Sequence, residues 1–97
     1  MIGMKSLKIK IEKTDIAFKG KVVYHNPQYG KVKLDTTDLG SRALCIFYNE
    51  IKEFDNFYIV NVDEILNKGV KNMSHYSSAI YLHEKYIGKE CIVCVLD

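Results

Sequence analysis

Basic and aromatic side chains collect in two segments of the chain that could contact a nucleic acid. The set comprises, in the first half, Lys21, His25, Tyr29, Lys31 and Lys33, and, in the second half, Lys71, Asn72, His75, Tyr76 and Tyr81. Lysine ammonium groups can neutralise phosphates, and exposed tyrosine rings can stack on bases or bond to the backbone. A solvated strand face with tyrosines packed at its edge would have the same composition. The pattern therefore predicts a polar surface and leaves its ligand open.

Two cysteines near the end of the chain form a C-x-x-C motif, which is typical of redox pairs and of half zinc sites. Cys91 and Cys94 fall in a β-like apolar run, where residues three apart point to opposite faces. A redox pair needs a helix N-terminus beside it, and a zinc site needs two more ligands in a second paired spacing. Cys45 and the three histidines do not supply that spacing. We therefore expect reduced core residues, with no metal and no cofactor.

Catalytic patterns are weak elsewhere in the chain. There is no glycine-rich phosphate loop, and no Ser-His-Asp order can be interpreted in so short a chain. The three histidines could act as bases, but lone histidines are more often surface or packing residues. The acidic residues of the middle segment match no calcium loop: Glu50, Glu53, Asp55, Asp63 and Glu64. We therefore expect no enzyme activity and no catalytic residue.

A second functional class remains open, that of a protein-interaction module such as an antitoxin-like partner. Exposed strand edges and a run of aromatic residues could supply an apolar docking surface. The aromatic residues are Phe47, Tyr48, Phe54, Phe57 and Tyr58. DNA and a protein partner are thus the two expected classes of partner.

Length and charge restrict the choice of function only partly. The 97 residues are enough for one domain, and the net charge of +2 does not by itself identify a nucleic-acid binder. Arg42 is the only arginine, which lowers the expectation of base-specific readout. No apolar run approaches the roughly 20 residues that cross a bilayer, and no signal peptide is evident. We expect a cytoplasmic protein without membrane contact.

The hydrophobic pattern predicts a mainly β fold with short helical turns. Apolar and charged residues alternate at Leu7–Ile11 with the period of a half-buried strand. Further predicted strands cover residues 16–24, 31–34, 42–48, 57–62, 79–82 and 90–96. Residues 63–69 are predicted as one or two helical turns, capped by Asp63 and ended by Gly69. Turns are predicted at residues 35–40 and 83–88.

The two halves of the chain resemble each other at an offset of 48 residues. Residues 32–47 align without a gap with residues 80–95, so that Leu34 meets Leu82 and Gly40 meets Gly88. A duplicated β-turn-β unit would explain this, and so would chance similarity between strands. Duplication predicts one domain of two pseudo-repeat units, about 1–48 and 49–97, related by a twofold axis. It would place the His25–Lys33 and Lys71–Tyr81 segments on one common face.

Residues 77–93 resemble the C-terminal signature of small archaeal transposon-associated proteins, within the swapped-hairpin family typified by AbrB and MazE. The resemblance lies in the apolar strand Ala79–Leu82, a lysine-containing turn, and Ile87-Gly88-Lys89 before a valine-rich strand. Only Ser77 of the family's loop is present, and His83 replaces its proline. The resemblance implies interleaved hairpins in a swapped-hairpin or cradle-loop-like barrel that lays basic residues on DNA. It favours a small, DNA-associated, regulator-like accessory protein.

Overall fold

Most of the residues that the structure describes belong to β-strands. The computed structural model describes residues 7–34, 41–72 and 77–96. These residues form nine strands and one 3-10 turn at Glu84–Tyr86, which confirms the mainly β fold. The strands are β1 Leu7–Glu12, β2 Ala17–Lys21, β3 Val23–Asn26, β4 Tyr29–Leu34, β5 Arg42–Glu53, β6 Phe57–Gly69, β7 Lys71–Asn72, β8 Ser78–His83 and β9 Glu90–Leu96.

The strands form two antiparallel sheets. The first sheet has the order β1-β6-β5-β9-β2, and the second has the order β3-β4-β8-β7. The predicted closed barrel is absent from the described residues, because the first sheet ends at β1 and β2 and the second at β3 and β7. The sheets meet through their apolar faces, and burial of side chains between layers replaces closure by hydrogen bonds from edge to edge.

The larger core lies between the two sheets. In β4 and β8 the residues that point inward are fully buried, and they alternate with residues that point outward. The second sheet contributes Val32, Leu34, Ile80 and Leu82, and the first contributes Ala43, Cys45, Phe47, Cys91, Val93 and Val95. Because one face of the second sheet is used by this core, its other face is left toward solvent.

A smaller core covers the opposite face of the first sheet. Ile46 and Ile92 lie on that face and pack with Tyr58 and Val60 of β6. The register between β5 and β6 shifts between Phe47 and Glu50, which marks a β-bulge where the long strands change direction. The bulge lets the far ends of β5 and β6, with β1, pack over their own sheet.

The helical turn predicted at residues 63–69 is wrong, because this segment continues β6. Leu66 lies opposite Cys45 and packs against the larger core, while Gly69 lies opposite Arg42. Asp63 is skipped by the register at the bulge and caps no helix. Pairing with β5 along the whole segment satisfies backbone groups that a short isolated helical turn would leave open. The predicted turn at residues 83–88 is confirmed by the 3-10 turn.

The strand registers follow the 48-residue spacing. At the centre of the second sheet Val32 lies opposite Ile80, and at the centre of the first sheet Cys45 lies opposite Val93. Each of these pairs joins residues that are 48 positions apart. An antiparallel pair centred on two equivalent residues is what a twofold axis through that pair would produce.

The outer ladders follow the same spacing. Moving the β3–β4 pair Val23 and Lys31 forward by 48 residues gives Lys71 and Ala79, which are paired in β7 and β8. The β2–β9 pair Ala17 and Cys94 corresponds in the same way to the β6–β5 pair Ile65 and Ile46. Positions that the sequence aligns are therefore also equivalent in strand pairing.

Candidate nucleic-acid interface

Six of the ten residues predicted to contact nucleic acid lie on the solvent-facing side of the second sheet. Alternation along β4 points Val32 and Leu34 into the core and leaves Tyr29, Lys31 and Lys33 on the other face. Along β8, Tyr81 and His83 alternate with buried neighbours in the same way. We call this surface the outer face; its residues are Val23, His25, Tyr29, Lys31, Lys33, Lys71, Ala79, Tyr81 and His83.

Lysines occupy one end of the outer face. Lys33 of β4 and Lys71 of β7 lie on either side of Ala79 of β8, in register. With about 4.8 Å between neighbouring strands, their backbones are about 10 Å apart. Lys31 stands two residues from Lys33 on the same strand face, about 7 Å away. Ala79, between the two lysines, is fully buried.

Rings occupy the other end of the outer face. Tyr81 lies opposite Lys31, and the His25 ring meets the Tyr81 ring at a centroid distance of 4.8 Å and an angle of 60°. His25 reaches this position because the β3–β4 register shifts at a bulge between Tyr24 and Asn26. The bulged residue is thereby turned toward β8.

Tyr29 and His83 extend the ring end by one further row. They lie opposite each other across β4 and β8, and the Tyr29 residue is 46% exposed. The Nδ1 atom of His83 accepts a hydrogen bond of 3.1 Å from the Lys85 backbone N–H. His83 was not among the predicted contact residues, because the sequence placed it in a turn, whereas β8 extends to His83 and sets it on the same face as Tyr81.

The outer face carries positive charge that no carboxylate of the described residues pairs with. The strands of the second sheet, as bounded here, contain no Asp or Glu. Lys31, Lys33 and Lys71 form no ion pair with any described residue. By contrast, Lys13 and Lys19 both pair with Glu53 at 2.9 Å on the first sheet. Three lysines are therefore free to attract an anionic ligand.

Four predicted contact residues are not on this face. Lys21 ends β2 in the first sheet, where it lies opposite Glu90. Asn72 lies opposite the inward-facing Ser78, and its Oδ1 accepts a hydrogen bond of 3.0 Å from the serine hydroxyl. His75 and Tyr76 lie outside the described residues.

The cysteines are built into the cores. Cys91 belongs to the larger core and Cys94 packs against the smaller one, which confirms that they point to opposite faces of β9. A hydrogen bond with Cys45 and burial raise the pKa of the Cys91 thiol, which holds it in the protonated form. Within the described ranges, no three His, Cys, Asp or Glu side chains are grouped as a metal site requires.

Burial removes two of the five aromatic residues that were expected to supply a docking surface. Phe47 and Tyr58 are only 2% and 5% exposed because they fill the two cores. Phe54 and Phe57 stack on each other at 4.7 Å beside the turn between β5 and β6. Of the five, Phe54 is 45% exposed, and Tyr48 and Phe57 are half-buried.

The acidic residues of the middle segment serve separate local contacts. Besides the Glu53 ion pairs, Glu50 accepts a hydrogen bond from Asn61, and Glu64 accepts one from the Tyr86 hydroxyl. These carboxylates therefore stabilise neighbouring strands and do not converge on one ligand.

Comparison with known proteins adds no relationship: no family model, no curated protein and no solved structure matches this chain. None of the residues described in the structure belongs to a helix of the length and apolarity needed to span a bilayer. Function is therefore inferred from the outer face itself.

Proposed function

We propose that this chain is a small nucleic-acid-binding protein that acts without catalysis, as a DNA-associated accessory protein. One observation carries the proposal: three lysines share a sheet face with exposed rings, and among the described residues they have no ion-pair partner and their strands contain no carboxylate. Such a face is suited to binding phosphates. Each lysine–phosphate contact releases counterions that were condensed on the nucleic acid, and this release adds affinity.

The spacing of the lysines supports contact with a backbone. The estimated separations of about 7 and 10 Å can be adjusted by several ångströms, since lysine is a point charge on a flexible four-carbon chain. The sole arginine is not part of this face. Arg42 lies in β5 and its guanidinium donates to the Asn67 side chain at 2.8 Å and to the Asn67 carbonyl at 3.2 Å. We infer binding with little base-specific readout.

We further propose that the chain contains two equivalent units whose hairpins interleave, as the swapped-hairpin resemblance implies. The shared 48-residue spacing of the ladders supports this. So does the choice of partners at the sheet centres. The strands β4 and β5 of the first unit pair with β8 and β9 of the second, and not with each other. A partly duplicated origin also explains why one face draws residues from both halves.

The test is a salt-dependent binding measurement with matched charge variants. Fluorescence anisotropy of a labelled oligonucleotide should give an affinity that falls steeply with salt, with a log-log slope of about 0.7 to 0.9 per phosphate contact. The variant Lys33→Gln/Lys71→Gln should weaken binding and reduce that slope by about 1.4 to 1.8.

The control removes the same charge from the other sheet. Lys8 and Lys52 line a shallow depression on the first sheet with Glu50, Ile59 and Asn61. The variant Lys8→Gln/Lys52→Gln should bind much like the wild type. Equal loss in both variants, or no binding by the wild type at low salt, would remove the outer face as a nucleic-acid site.

A further inference from the structure

We infer that the nucleic acid held by the outer face is single-stranded, with its bases stacked on the rings of Tyr81, His25 and Tyr29. This inference rests on the proposed function and narrows it. It comes from the shape of the second sheet and from the placement of rings and lysines at opposite ends of one face.

The width of the sheet argues against reading a duplex. Four strands at about 4.8 Å spacing make a surface about 14 Å wide before side chains are added. The major groove of B-DNA is about 12 Å wide and admits a helix or a two-stranded ribbon. A flat face of this width does not fit into the major groove, so its rings are poorly placed to reach the stacked bases of a regular duplex. A single strand can turn its bases onto the same surface.

The rings are placed as a stacking platform. Tyr81 is central in the sheet, and the His25 ring leans against it at 60°, so that one ring supports the orientation of the other. Tyr29 lies on the neighbouring strand, two residues before Lys31, and is about half exposed. Solvated rings on a β-sheet are the usual platform for unpaired bases, because every base offers a π-face whatever its sequence.

The lysines complete a directional arrangement. Lys31 lies directly opposite Tyr81 on the adjacent strand, so a phosphate can be held about one strand spacing from a stacked base. Lys33 and Lys71 lie beyond it, on the side away from His83. A bound strand would therefore run from the ring end, past Lys31, to the lysine pair.

The first experiment compares strand types on the intact chain. The labelled probes are a mixed-sequence DNA strand, the matching RNA strand, and the duplex of the DNA strand with its complement. We expect both single strands to bind more tightly than the duplex. The chain has 7 Tyr and no Trp, so binding should also quench its tyrosine fluorescence.

The second experiment removes the stacking ring and restores it. Tyr81→Leu keeps apolar volume without a π-face and should weaken single-strand binding about 5- to 150-fold, the effect of losing one stacked base. Tyr81→Phe should bind like the wild type. The control is Phe54→Leu, which removes a ring from the β5–β6 turn of the first sheet and should leave the affinity unchanged. Thermal unfolding of each variant separates loss of binding from loss of fold. If Tyr81→Leu is unstable, Tyr29→Leu carries the test, because Tyr29 is an exposed ring of the same platform and its loss should also weaken single-strand binding.

The outcomes separate this inference from the proposed function. The inference is supported if single strands bind more tightly than the duplex, if Tyr81→Leu weakens single-strand binding, and if Tyr81→Phe binds like the wild type. Duplex binding equal to or tighter than single-strand binding overturns it, as does a Tyr81→Leu variant that folds and binds normally. If the single-strand inference fails in either way but Lys33→Gln/Lys71→Gln still weakens binding, the proposed function stands, because the lysines then bind the phosphate backbone. If no probe binds at low salt, the proposed function falls as well.

Discussion

Val32 and Ile80 lie opposite each other at the centre of the second sheet, both fully buried, and they are 48 residues apart in the sequence. The same spacing joins Cys45 to Val93 at the centre of the first sheet. The relationship explains how two distant segments of the chain come to share one surface. Pairing of β4 with β8 places Lys31 beside Tyr81, although 50 residues separate them.

The turn before β9 requires glycine at position 88. Gly88 has a φ of +93°, and a Cβ built on it would have no neighbour within 4 Å, so only the backbone conformation resists a side chain. Gly88→Val should lower the free energy of unfolding by about 1–3 kcal/mol in urea titrations. The matched control is Gly69→Val, because Gly69 also has open space around it and lies in a strand. Similar losses at both positions would contradict the backbone explanation.

The close approach of β4 to the β2–β3 connection depends on Gly30. A Cβ at this position would lie 2.6 Å from Val22 Cγ1 and 2.7 Å from Ile87 Cγ1. Gly30→Ala should therefore cost about 1–3 kcal/mol of stability through overpacking. The cost should be smaller when measured in a Val22→Ala background, where one of the two obstructing groups is gone. A double-mutant cycle by urea unfolding measures the coupling, and strict additivity would exclude the clash.

Acid should weaken the contact between Glu53 and two lysines. Hydrogen bonds from Lys13 and Lys19 hold the pKa of the Glu53 carboxyl below its ordinary value. A group with a lowered pKa in the folded state stabilises the fold above its unfolded pKa and loses that effect as the pH falls through its folded pKa. Glu53→Gln should thus lower stability modestly at neutral pH and have less and less effect below about pH 4.

The control for this pH dependence is Asp55→Asn. Asp55 is an exposed carboxylate near the same turn and forms no ion pair with the described residues. Its replacement should change stability little at any pH. Urea unfolding from neutral to acidic pH gives both curves, and a Glu53→Gln effect that grows in acid would reverse the expected sign.

The paired cysteines should act as packing residues. Cys91 is fully buried in one core and Cys94 packs against the other, so replacing both by Ala should cost about 1–3 kcal/mol through lost contacts. Protein purified without added metal should contain no stoichiometric zinc. Elemental analysis of the wild type and the variant checks this, and zinc that disappears with the replacement would identify a ligand role.

The alternation of apolar and polar residues was sufficient to predict most strands and the outward direction of Lys31 and Lys33. The offset between the halves also led to the expectation that the His25–Lys33 and Lys71–Tyr81 segments share a face, and the strands of both segments lie in the second sheet. These features are local or periodic, so they can be recognised without knowing the partner of each strand.

Tertiary structure decided the remaining features, because they depend on which strands meet. Asp63–Gly69 has the residues of a capped helical turn, yet pairing with β5 makes it a strand. Phe47 and Tyr58 were candidates for an exposed docking surface, but they are buried in two separate cores. Lys21, like Lys31, is a lysine among apolar residues of a predicted strand, but β2, which contains Lys21, belongs to the first sheet. Long-range pairing sets the face to which each side chain belongs, and a register is a property of two strands rather than of either one alone.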